Sequence, residues 1–162
     1  MGSGKSGLYN NTKGSQSSNY SPSILHDMVE SWANRIAKKL LNESNRKRDR
    51  FNTACVAIDI TTGKKYYGRN GWMKEDTGKK NALLFGPKGL LPKQSLNNYE
   101  LGNCAEVQAI NKALNAGAKL ENMCITTIHA TKNQMGRLKK ACKNCTYTFK
   151  GKIKANYAGW ED

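Results

Sequence analysis

The sequence predicts a three-layer α/β domain: a mixed sheet with an antiparallel hairpin at one side and helices packed on both faces. Three observations predict it. Residues 53–60 and 123–129 are apolar almost throughout and bounded by turn residues, as central strands covered on both faces are. Residues 64–68 alternate and are rich in aromatics. They follow the short turn Thr61-Thr-Gly63, which makes them the second arm of a hairpin. Helical patterns separate the strands, giving the order helix, strand, strand, helix, strand, helix, strand.

The elements follow in turn. Residues 1–21 are rich in Gly, Ser and Asn without apolar periodicity and read as a linker, leaving residues 22–162 for the folded domain. Gly2-Ser-Gly-Lys-Ser is only a fragment of a phosphate loop, because no strand precedes it. Ser21 and Pro22 open the first helix, whose apolar face is predicted from Leu25, Met28, Trp32, Ile36 and Leu40. The basic run 45–50 is either a solvated helix end or a phosphate contact. Residues 71–100, with their glycines, prolines and lysines, form either one wall of a pocket or a floppy insertion. Helix 103–117 is capped by Asn103 and stopped by Gly117, and it crosses between parallel neighbouring strands. A short helix, 146–150, follows Cys142-Lys-Asn-Cys145, and residues 152–157 close the chain with a last strand.

The chain carries 27 Lys+Arg against 12 Asp+Glu, a net charge of +15. That excess favours a polyanionic partner, most often nucleic acid; a merely soluble protein, or one that pairs with an acidic protein, is the bland alternative. No segment reaches the ~20 apolar residues of a membrane span, so no membrane partner is expected. Five cysteines make a complete disulfide framework unexpected. Cys55 and Cys124 sit in apolar runs as buried thiols, with a disulfide between them open only if their strands are neighbours.

Cys104, Cys142 and Cys145 can together hold a zinc ion with its fourth position open, the arrangement of catalytic rather than structural zinc. Cys104 falls on the first turn of its helix, where the dipole favours the thiolate. Glu106, two residues on, can handle protons at such a site; alternatively it closes a capping box with Asn103. His129 is more simply a hydrogen-bonded strand end, but it is the obvious fourth ligand if the zinc is structural.

Cys104-Ala-Glu at a helix start, a strand, then Cys142-Lys-Asn-Cys145 at the next helix resembles the zinc-dependent cytidine deaminase superfamily. The run Gly102-Asn-Cys-Ala-Glu-Val-Gln-Ala-Ile-Asn-Lys-Ala-Leu114 looks like the YwqJ-type deaminases, the C-terminal warheads of bacterial polymorphic toxins. The resemblance spans roughly residues 52–157, and Ala141 stands where the superfamily usually has Pro. It implies a cytidine deaminase-like α/β/α fold, zinc on Cys104, Cys142 and Cys145, and Glu106 as the catalytic proton carrier. It further implies that the Ala105 backbone N–H helps hold the base and that Asn70 contacts the sugar. The implied reaction is hydrolytic loss of ammonia from cytosine, or less favourably adenine, in nucleic acid, with DNA ahead of RNA. Also implied are secretion within a larger toxin, action in the target-cell cytoplasm and an acidic immunity protein as partner. A free nucleoside deaminase and a non-catalytic zinc module on a basic surface are the alternatives. Tyr66, Tyr67, Trp72, Phe85 and Tyr99 are candidates for stacking on bases, or are core.

Overall fold

The computed structural model describes residues 21–161; the linker predicted at the N-terminus lies almost wholly outside them. Helix α1 runs Pro22–Glu43, with Ser21 Oγ accepting from Ile24 N–H at its start, and helix α2 follows at Asn45–Arg50, capped by Ser44. Strands β1 (Thr53–Asp59) and β2 (Lys65–Arg69) form the hairpin. Helix α3 (Ala82–Phe85) is followed by α4 (Ala105–Asn115), β3 (Met123–His129), α5 (Lys143–Phe149) and the short β4 (Ala155–Asn156). The fold is therefore α/β, with a mixed four-stranded sheet and five helices among the described residues.

The sheet order is β2-β1-β3-β4, with β1 antiparallel to both β2 and β3 and β3 parallel to β4. This corrects the expected crossover. Strands β2 and β3 do run the same way, but β1 lies between them, so α4 spans a strand rather than joining neighbours. The parallel neighbours are β3 and β4, linked by α5.

All of β1 and six of the seven residues of β3 are buried, because helices cover both faces. Against one face, α1 lays Leu25, Val29, Ala33, Ala37 and Leu40 on Val56, Ile58, Cys124 and Ile128. The centre of that contact is this row of smaller residues; Met28, Trp32 and Ile36 are only half-buried at its flank. The alanines let the helix axis approach the sheet, and Trp32 reaches past the edge to stack on Tyr67, with ring centroids 5.3 Å apart. Against the other face, Ala105, Val107, Ala109, Ile110 and Ala113 of α4 meet Cys55, Ala57, Met123 and Ile125, joined by Phe149 of α5.

Cys55 stands opposite Thr127, and Cys124 opposite Ile58. Their strands are neighbours, but the two thiols belong to opposite faces of the sheet and both are free.

The segment 71–100 is fastened to α4 rather than floppy. Asn111 accepts from Asn81 N–H at 2.7 Å and donates to the Lys79 carbonyl at 2.8 Å. Trp72 is buried and donates from Nε1 to the Gly102 carbonyl at 3.0 Å. No helix among the described residues is long and apolar enough to cross a membrane.

Candidate metal and proton-transfer site

Two helix starts converge here. Cys104 is the N-cap residue of α4 and Cys142 that of α5, both with extended backbone, and neither sulfur spends itself on a capping hydrogen bond. Helix α5 thus begins three residues earlier than the sequence suggests, because Cys142 occupies the cap position and Cys145 falls within the first turn. The sulfurs of Cys104, Cys142 and Cys145 lie within 4.8 Å of one another, and Cys104 and Cys142 are 3.6 Å apart. A tetrahedral zinc about 2.3 Å from each sulfur sets them about 3.8 Å apart. The Cys104–Cys142 pair already has that spacing, and the third sulfur is close enough to join the same ion. Among the described residues, His129 is not part of this ligand group.

Without metal the three sulfurs share protons. The Cys104 and Cys145 thiols point hydrogen bonds at Cys142, which holds the Cys142 thiol well below its ordinary range; the backbone N–H groups of Cys145 and Asn144 add to the effect. Cys104 and Cys145 are in turn pushed up, first by that same sharing and then by burial.

Glu106 lies beside the sulfurs with only 3 % of its surface exposed. Its Oε2 accepts from Thr127 Oγ1 at 3.2 Å, and its Oε1 is 3.9 Å from Cys145 Sγ. The capping-box expectation fails, since Cys104 rather than Asn103 is the cap residue and the Asn103 carboxamide instead accepts from Met73 N–H at 3.1 Å. The carboxylate takes no part in a capping box, though it accepts from its own backbone N–H in the first turn of α4. Burial, the largest cause, raises its pKa to about 7, the range suited to taking and returning a proton near neutrality.

A cavity of about 250 Å³ opens over this group, lined among others by Asn70, Tyr99, Cys104, Ala105, Glu106 and Lys139. That volume is below the ~300–1,000 Å³ of drug-sized sites and suits a single ring. Ala105, the first residue of α4, forms part of the wall. Asn70 forms another part, yet most of its amide is committed: Oδ1 accepts from Asn52 and Thr53 N–H, and Nδ2 donates to the Arg50 carbonyl. Lys139 reaches Thr53 Oγ1 at 2.5 Å, and its charge favours the ionised form of Glu106.

Of the five aromatics considered for stacking, only Tyr99 is exposed and on the cavity wall. Trp72 is core, Phe85 packs edge-on against it, and Tyr67 is stacked on Trp32. Tyr66 packs against the core on the α4 side.

Beyond Thr127 and Lys139, sequence reasoning missed one residue that builds the site and the packing role of another. Asn144, between the two paired cysteines, is 1 % exposed; it accepts from Leu96 N–H at 2.7 Å and donates to Ser95 Oγ at 3.0 Å. It therefore anchors the loop that carries Tyr99 to the cavity. Gly68 is the other. A side chain there would run into the Ala105 carbonyl and Ala109 nitrogen, so its absence lets α4 rest on β2. A glycine inside a hairpin arm was the available signal.

No family model, curated protein or solved structure compared with the chain matches it.

Proposed function

We propose that the chain is a zinc-dependent nucleobase deaminase acting on cytosine in nucleic acid, on a three-layer scaffold of the cytidine deaminase kind. The observation that carries this reading is one juxtaposition: three sulfurs close enough to share one ion, with the buried Glu106 carboxylate beside them at a one-ring cavity. Zinc held by Cys104, Cys142 and Cys145 would supply a Lewis acid that makes water acidic enough to attack at neutral pH.

The chain's own residues supply the rest. Thr127 holds Glu106 Oε2, and Oε1, which accepts from the Cys145 thiol, is freed to take the proton of the attacking water once that thiol is ionised. Glu106 gives that proton to the ring nitrogen, then takes the second from the new C4 hydroxyl and gives it to the departing amine, so that water and the C4 amine become a C4 carbonyl and ammonia. Ala105, at the start of α4, lies on the cavity wall, and its backbone N–H would hold the base. Asn70 has one amide hydrogen left beyond its bond to Arg50, enough for a sugar oxygen. Tyr99 offers a stacking face at the mouth. A base inside a duplex cannot enter the cavity, so it must be flipped out or presented single-stranded.

The reading extends to a toxin role: a warhead delivered from a larger secreted protein and held in check by an acidic immunity protein, with DNA as the first substrate to test. The test is genome and transcriptome sequencing of cells briefly expressing this chain beside its Glu106→Ala form. C-to-T changes in DNA confined to the active form are expected. Changes confined to RNA move the substrate there. Equal changes in both forms would refute the assignment of Glu106.

A further inference from the structure

The cavity over Cys104 and Glu106 continues into a second hollow. That hollow has a volume of about 520 Å³ and shares Asn52, Asn70, Gly71, Glu100 and Asn103 with the first. Its remaining wall is largely cationic, with Lys47, Arg50, Arg69 and Lys74 on it. Lys47 is paired with Glu43 and Arg69 with Glu75. Arg50 and Lys74 are exposed and have no ion-pair partner among the described residues.

Both of these cations ride on backbone that is hydrogen-bonded to the cavity wall. The Arg50 carbonyl accepts from Asn70 Nδ2 at 3.0 Å. Lys74 ends the short turn Trp72–Lys74, whose Met73 N–H is held by Asn103 Oδ1, the residue before Cys104. The backbone that carries these two unpaired cations is thus tied to the site, and they outnumber the one carboxylate on the same wall without an ion pair among the described residues, Glu100; Glu75 is taken up by Arg69. A strand whose base enters a one-ring cavity must carry its flanking phosphates past the mouth, and this is where cations are held to receive them.

We infer that the hollow is the phosphate track of a single nucleic-acid strand, with Arg50 and Lys74 holding phosphates that flank the base in the cavity. The inference rests on the deaminase reading only for what becomes of the base; capture of phosphates is measured separately.

The experiment is fluorescence anisotropy of the zinc-loaded chain with labelled oligodeoxycytidylate and oligoribocytidylate across a salt series. Each phosphate contact on a single strand contributes a slope of about 0.7 in log affinity against log salt. The double variant Arg50→Gln/Lys74→Gln is expected to lose about 1.4 of that slope, and Arg50→Lys is expected to retain it. A control variant, Lys38→Gln/Lys119→Gln, removes the same charge from exposed positions outside both hollows and is expected to leave the slope unchanged. The oligomer that loses more names the sugar the track prefers. An unchanged slope, an equal loss in the control, a loss seen only with duplex, or loss of binding to an acidic protein alone would each overturn the inference. Failure of the deaminase reading appears elsewhere, as absence of turnover by the folded, zinc-loaded parent, and leaves these slopes intact.

Discussion

The Thr127 hydroxyl donates to Glu106 Oε2 at 3.2 Å, tying the middle of β3 to the first turn of α4. The bond spends one carboxylate oxygen on position and leaves the other for chemistry. Thr127→Val should keep the shape and lose the donor, lowering kcat by roughly 10–100-fold, as loss of a partner behind a metal site typically does. One zinc per chain should remain, and Thr127→Ser should restore most of the rate. Unchanged kcat in the valine variant would show that the hydroxyl does not position the carboxylate.

Burial makes the Glu106 charge a stability liability in the metal-free chain. Its pKa rises from 4.5 to about 7, so the folded state binds this proton more tightly than the unfolded state does. Stability therefore falls as pH rises from 4.5 to 7 and stays reduced above that. Glu106→Gln should make the metal-free chain more stable at pH 8 by up to about 3 kcal/mol, at about 1.4 kcal/mol per pH unit. The gain should vanish below pH 4.5. Urea melts at the two pH values measure it, and a glutamine variant less stable at both would contradict the burial argument.

Metal binding should release protons in a number set by the shared-proton arrangement. With Cys142 already a thiolate and Cys104 and Cys145 protonated, zinc should displace about two protons per chain at pH 8, where Glu106 is mostly ionised beforehand. Calorimetry in buffers of different ionisation enthalpy counts them. A release near three would show that Cys142 is protonated in the metal-free site.

Asn144 should control the Tyr99 loop without being a ligand. Asn144→Ala removes the acceptor of Leu96 N–H and the donor to Ser95, bonds worth about 1 kcal/mol each. Amide exchange in residues 95–99 should quicken at least several-fold and KM for an oligonucleotide should rise, with zinc content unchanged. Exchange equal to that of the parent would mean the loop is held by other contacts.

The sequence exposed the parts of this site that are written locally. Cys104, Glu106, Cys142 and Cys145 stand in two short motifs at helix starts, where spacing alone brings ligands together. The alternative for Glu106, a capping box, could not be dismissed from spacing, because the outcome turned on Asn103 bonding to Met73 thirty residues away. Thr127 and Lys139 were not legible for the same kind of reason. Thr127 is set by the register of β3 against β1, and Lys139 is brought there by its own N–H bonding to the Thr127 carbonyl; apolar patterning fixes a strand's faces but not its partner. The face of α1 was legible only in part: Leu25 and Leu40 are buried and Trp32 and Ile36 pack beside them, but close approach to the sheet selects Ala33 and Ala37, which their size hides. The order of the strands was equally out of reach, since a helix of eleven residues can bridge adjacent strands or step over one.

The most direct measurement compares the chain with its Glu106→Gln variant, each loaded to one zinc, on a single-stranded oligonucleotide containing one cytosine, with uracil read by mass spectrometry. The account predicts uracil from the parent and essentially none from the variant, at equal zinc content and equal oligonucleotide affinity. Equal turnover by both, or none by a folded, zinc-loaded parent on DNA, RNA and free cytidine alike, would contradict it.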